Sequence, residues 1–195
     1  MSEAANLRLH CRPSKAGNVL LFPYTLDNQG QTDVYAMHAL PSADPDSGEA
    51  RANETAATVI AGPEGEVIVG KFAAPLPLDR RIAVPVVSLA RHVPPGASIE
   101  GSIEIPLPIA ETSPYFADLP LRRYQMIDIR AVVLTIGYWS SGRDNLVVAP
   151  VGYAPDLFFV MGGNPLKSAL RVTQRFPTSG LQLFRRTDQY PRSLA

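Results

Sequence analysis

The stretch HVPPGASIEGSIEIPLPIAE (residues 92–111) decides how the chain reads. Apolar and polar residues alternate through it, yet it carries four prolines, at 94, 95, 106 and 108. Pro94-Pro95-Gly96-Ala97 fits a type II turn, in which Pro95 presets φ at the second position and Gly96 supplies the positive φ of the third. A strand then begins near Ser98. Ile99, Gly101, Ile103, Ile105, Leu107 and Ile109 share one parity and should face a core, while Glu100, Ser102, Glu104, Pro106 and Pro108 share the other.

Parity also predicts an edge. Alternate residues of a strand send their N–H groups to alternate neighbours, so Pro106 and Pro108 lack a donor on the same side. A sheet neighbour there would lose two ladder bonds in succession, which makes the second half of the strand an edge. Outward Glu100 and Glu104 guard such an edge against pairing with other chains. The rival reading is a polyproline ligand. Isoleucines alternating with the prolines favour burial instead. APLPLD (74–79) lacks the long alternation and reads as a linker.

Period-two patterns recur outward from this strand, and no 12-residue window has a convincing helical period. NLRLHCR sets Leu7, Leu9 and Cys11 against Arg8, His10 and Arg12. TDVYAMHAL is apolar on both parities and should be covered on both sides or meet a partner. GPEGE (62–66) reads as the turn of a hairpin. RIAVPVVSLARHV changes parity, which predicts a bulge near Val87–Ser88. QMIDIRAVVLTIGYW is the longest strand signal. LVVAPVGY and DLFFVMGG are further strands, and SALRVTQRFPTSGLQLFRRTD reads as two strands around PTSG. Residues 41–54 read as a mobile loop, and 112–124 as a long connection with one helical turn around Tyr115–Leu119.

These nine to eleven short strands predict one domain over residues 1–195, an all-β antiparallel sandwich with little helix. NVLLFPYTLDNQGQTDVYA, a strand ending in Asn-x-Gly and a short loop into an aromatic-bearing strand, resembles the B–C hairpin of immunoglobulin-like and fibronectin-like domains. The Cys…Trp…Cys spacing of true immunoglobulin domains is absent.

Composition supports a folded chain: 195 residues, 46% hydrophobic, with 19 prolines and 14 glycines that suit many turns. Eighteen basic and eighteen acidic residues cancel, so nothing in the total points to nucleic acid or an anionic membrane. The distribution is dipolar: residues 1–70 hold 4 Lys+Arg against 9 Asp+Glu, and residues 71–195 hold 14 against 9. One cysteine permits no intrachain disulfide, the N-terminus lacks an apolar h-region, and no run reaches the roughly 20 apolar residues of a membrane helix. The expected home is a reducing cytoplasm.

Motifs for chemistry are scarce. His10, His38 and His92 have no metal-ligand spacing, and His10 and Cys11 point to opposite faces of a strand. Nucleotide-binding and nucleophile-elbow motifs do not occur. Cys11 sits on the apolar parity and reads as core. DPDSGE (Asp44, Asp46, Glu49) lacks the length and distal Glu of a calcium loop. Asp27 and Asp33 flank a turn and are expected to serve its hydrogen bonds.

The recognition candidates are GYWSSGRDN (137–145), with Tyr138, Trp139, Arg143 and Asp144, and SPYF, with Tyr115 and Phe116. No enzyme activity, cofactor or metal is expected. The first functional reading is a protein-interaction or assembly module that binds a protein partner or itself. The alternatives are a small-ligand or carbohydrate-binding sandwich using Tyr138, Trp139 and Arg143, and an intracellular protease inhibitor.

Overall fold

The computed structural model describes residues 6–76, 81–83, 85–116, 123–141, 146–161 and 168–187, and the statements below concern those residues. They form fourteen strands: β1 (Leu7–Cys11), β2 (Ser14–Ala16), β3 (Val19–Asn28), β4 (Val34–Ala43), β5 (Ala50–Asn53), β6 (Thr58–Ala61), β7 (Glu66–Lys71), β8 (Leu89–Val93), β9 (Ser98–Pro106), β10 (Ile109–Ala110), β11 (Tyr124–Ser140), β12 (Val147–Val151), β13 (Ala154–Met161) and β14 (Leu170–Arg186).

The fold is an all-β sandwich of a smaller and a larger sheet. β3 is the spine of the smaller one, with β9 antiparallel along its whole length on one side and β1 and β2 sharing the other. The larger sheet runs β10-β14-β11-β4-β8-β13-β12, with β7 joined to β11, β6 joined to β7 and β5 joined to β4. Most neighbours are antiparallel, but β7 runs parallel to β11 and β10 parallel to β14.

The opening stretch folds largely as its parity requires. Gly96 has φ 75°, and the Ala97 N–H donates to the Pro94 carbonyl at 3.1 Å, closing the turn. β9 bonds to β3 alone, and the Leu107 N–H donates across that side to Asn18 O. The opposite parity faces outward, where the Glu104 N–H reaches Thr55 O at 3.0 Å. Pro106 has no N–H to offer on that open side, as expected of an edge. The strand does not continue to Ile109, however. It ends at Pro106, a cis peptide joins Leu107 to Pro108, and β10 then pairs with β14 in the other sheet. PLP is therefore where the chain changes sheets.

Other elements depart from the sequence reading for local reasons. Residues 41–54 are not a plain loop: β4 runs to Ala43, and β5 pairs back on it around a turn held by Asp44, whose carboxylate accepts the Asp46 and Ser47 N–H groups. Of the strand expected over 81–93 only β8 forms, and the bulge lies on its partner, where His38 is the extra residue between the Met37–Ala90 and Ala39–Leu89 pairs. PTSG does not separate two strands. It is a bulge inside β14, with residues 178–180 facing Arg130 between the Pro177–Ala131 and Leu181–Ile129 pairs. β3 and β4 lie in different sheets and do not pair as a hairpin. Most of the helical turn expected at Tyr115–Leu119 lies outside the described residues.

The main core lies between the sheets. Phe22, Tyr24 and Leu26 of β3 and Ile103 and Ile105 of β9 meet Val67 and Val69 of β7 and Leu134 and Ile136 of β11. Each large apolar side chain so buried stabilises the fold by roughly 1.5–3 kcal/mol. A second cluster of Met37, Ala90, Trp139 and Val160, and a third of Ala39, Leu89, Val151 and Leu157, lie apart from it. That is why TDVYAMHAL is apolar on both parities. Cys11 is buried, and burial pushes its thiol up to about 11.

Candidate functional site

The structure separates the residues singled out from the sequence. Tyr138 and Trp139 are neighbours on β11 and so point to opposite faces. Tyr138 is 8% exposed and belongs to the core between the sheets, whereas Trp139 is 0% exposed and packs with Met37, Ala90 and Val160. They do not form an open aromatic platform. Arg143 and Asp144 lie outside the described residues. Tyr115 is buried, and its hydroxyl accepts the Val86 N–H at 3.0 Å. Phe116 is half-buried, with the Arg186 guanidinium 4.6 Å from its ring centroid. Arg186 is itself buried, and its N–H donates to Glu111 Oε2, while Glu111 Oε1 accepts the Ala61 N–H. SPYF thus closes one side of the sandwich.

A polar cluster that the sequence reading passed over lies inside. Lys71 ends β7 on the parity of Val67 and Val69, which directs its side chain into the core, where it is 0% exposed. Its ammonium donates to the Tyr24 hydroxyl at 3.3 Å, the Glu54 carbonyl and the Ser102 carbonyl at 3.4 Å. The Ser102 carbonyl is an outward group on the open side of β9, so Lys71 supplies a donor where no strand does. Gly101 makes room for this: a Cβ there would lie 2.4 Å from the Tyr24 ring.

The bulge in β4 turns His38 toward the same place, as bulges do when they re-aim a side chain. Its Nε2 lies 2.9 Å from Glu54 Oε2. Burial, reinforced by the Lys71 and Arg91 charges, holds His38 down at about 4, so the neutral imidazole donates to the carboxylate. Burial likewise brings Lys71 down to about 7, with Glu54 opposing that fall.

Perturbed groups in one cluster are the signature of many reactive sites; here Lys71 and His38 are buried while the Glu54 carboxylate is half exposed. Lys71 spends its donors on fixed acceptors, and neither Lys71 nor His38 lines any of the three described cavities. Asp27 and Asp33 also serve pairing, not turns. Asp27 accepts from Ser98 Oγ at 2.6 Å and lies 3.7 Å from His10, and Asp33 lies 2.8 Å from His92. The turn belongs to Asn28, whose Oδ1 accepts the Gly30 N–H and whose Nδ2 donates to the Thr32 and Val93 carbonyls.

The surface feature that stands out is the β12–β13 hairpin, the last pair of the larger sheet. Val147 faces Met161 and Ala149 faces Phe159 across it, so all four share a face. Val147, Phe159 and Met161 are 55, 38 and 46% exposed, and Tyr153 at the hairpin turn is 43% exposed. The other parity of β13 carries Val160, 2% exposed and packed with Met37, Ala90 and Trp139, while Leu157, on the parity of Phe159 and Met161, is 1% exposed and packs with Val151, Ala39 and Leu89. The hairpin is therefore apolar on both faces, and the face of Phe159 and Met161 is covered at Leu157 but open at Val147, Phe159 and Met161. LVVAPVGY and DLFFVMGG carry this signal, since a strand apolar on both parities needs cover on both sides. Among the described residues no helix is long and apolar enough to cross a membrane, and no group of His, Cys, Asp and Glu could hold a metal.

Compared with known proteins, the chain matches no family model, no curated protein and no solved structure.

Proposed function

We propose that the chain is a non-catalytic interaction and assembly module that self-associates through the exposed face of the β12–β13 hairpin. The observation that carries this reading is the single face formed by Val147, Ala149, Phe159 and Met161 at the end of the larger sheet. Clustered exposed apolar side chains on a folded domain mark interaction sites. A second copy is the occupant that matches them, because a two-fold axis sets the same patch against itself. A cytoplasmic setting and a loose kinship with immunoglobulin-like sandwiches belong to the same reading; the buried single thiol of Cys11 suits the first.

The test is sedimentation velocity of the full chain over a hundredfold concentration range. The reading expects a concentration-dependent dimer that Phe159→Asp converts to monomer while circular dichroism stays unchanged. A chain that remains monomeric throughout, or a dimer untouched by Phe159→Asp and Met161→Asp, overturns it. Trp139 at 0% exposure does not favour a sugar platform on this face.

A further inference from the structure

The two sheets meet along a seam between β1–β2 and β14 that backbone bonds do not close. A side chain closes it at one point: Gln174 Oε1 accepts the Cys11 N–H at 2.8 Å, and Gln174 Nε2 donates to the Cys11 carbonyl at 3.3 Å. Further along both strands, past Pro13 and Phe176, the seam opens into a cleft of about 400 Å³. That is within the range of roughly 300–1,000 Å³ common for small-molecule sites.

The cleft reaches the main core. Leu20, Phe22 and Val132 line it, and each is at most 9% exposed. Phe176 and Leu181 of β14 form a wall, with the Phe22 and Phe176 ring centroids 6.3 Å apart at 54°. The bulge at residues 178–180 shapes this wall, and Gly180 holds φ 73°, a conformation that favours glycine.

The mouth has a single charge. Lys15 pairs with Leu20 across the β2–β3 ladder, so its side chain stands on the face of Leu20 and at the rim of the cleft. Among the described residues Lys15 makes no ion pair, and no carboxylate lines the cleft. Ser14 and Thr178 supply hydroxyls to the lining. The other two described cavities lack this pattern. The hollow of about 520 Å³ beside His10 and Arg12 includes Glu100, and the one of about 290 Å³ beside Pro106 includes Glu104.

We propose that this cleft binds a small amphiphile with an apolar tail and one anionic headgroup, a medium-chain carboxylate being the simplest case. The tail lies against Leu20, Phe22 and Val132, and the headgroup meets Lys15. The proposal goes beyond the assembly reading and does not rest on it.

The test titrates the full isotope-labelled chain with decanoate, decanol and decyltrimethylammonium, following the NMR signals of Lys15, Phe176 and Leu181. Saturable decanoate binding with shifts centred on these residues is expected, with the cationic amphiphile bound most weakly. Lys15→Glu should weaken decanoate about tenfold, loss of an exposed attraction plus a new repulsion, and leave decanol within about twofold because the tail contacts remain. Leu181→Trp, or Thr178→Trp if the former fails to fold, fills the cleft and removes both. No saturable decanoate binding, shifts centred elsewhere, or indifference to Lys15→Glu overturns the proposal. Sedimentation with phosphatidylglycerol vesicles separates a free amphiphile from a membrane-held headgroup, and vesicle binding without decanoate binding also overturns it.

Discussion

Replacing Lys71 by methionine should remove a pH dependence of stability that the wild-type chain carries. An unfolded lysine holds its proton up to 10.5, whereas folded Lys71 releases it at about 7 because its ammonium is cut off from water. Between those values the unfolded state binds more protons, so stability rises with pH. Below pH 7 that increment is missing. That gap corresponds to about 5 kcal/mol when fully developed. The clean window is narrower: burial raises the Cys11 thiol from 9.0 to about 11, so the folded state holds a proton that the unfolded state loses, and stability falls above pH 9. Tyr24, also raised by burial, acts in the same sense above pH 10. Between pH 7 and pH 9 the wild type should therefore gain about 2 kcal/mol. Urea unfolding at pH 7, 8 and 9 measures this directly, and Lys71→Met should be nearly flat over the same range. The absolute stability of the variant is a separate matter. Methionine relieves the cost of burying a charge but strips a donor from Tyr24, Glu54 and Ser102. A wild type with no gain from pH 7 to 9, or a variant with the same gain, would refute the reasoning.

Two further outcomes follow from side chains already described. Trp139 should show blue-shifted fluorescence that acrylamide barely quenches, and Trp139→Ala should cost about 3–5 kcal/mol in chemical unfolding; emission like that of an exposed indole would contradict its place beside Met37 and Val160. Gly101→Ala should destabilise by about 1–3 kcal/mol, since the added methyl overlaps the Tyr24 ring and displaces the Lys71 partner with it; stability within 0.5 kcal/mol of wild type, roughly the scatter of neutral surface changes, would show that the ring can move aside.

What could be read in the sequence was whatever depends on parity within one strand. Pro106 marked the open side of β9, and the paired apolar parities of β4 marked cover on both faces. Residues 67, 68 and 69 are all apolar, so parity alone did not mark Lys71 as buried, and its partners were not legible because Tyr24, Glu54 and Ser102 come from three other segments and meet only through sheet packing. His38 was missed because the bulge that turns it is set by the pairing of β4 with β8. PTSG has the composition of a turn, but β11 continues past it and keeps β14 in one strand, with the extra residues bulging out. Trp139 carried the composition of a binding residue. Whether an aromatic at a strand end faces solvent or a second cluster depends on what covers that face, and here Met37, Ala90 and Val160 do.

β11 bonds to β14 along nearly its whole length on one side and to β7 and then β4 on the other. This arrangement orders assembly during synthesis. The smaller sheet has all its strands once residue 106 has emerged. The larger sheet has to wait for β14, which lies between β10 and β11 and is the last of the described strands. Until then β7 and β4 either lack β11 or pair with one whose other edge is bare. A nascent chain whose emerged part ends between residues 140 and 170 would hold the apolar strand β11 with one side unpaired, a state exposed to aggregation.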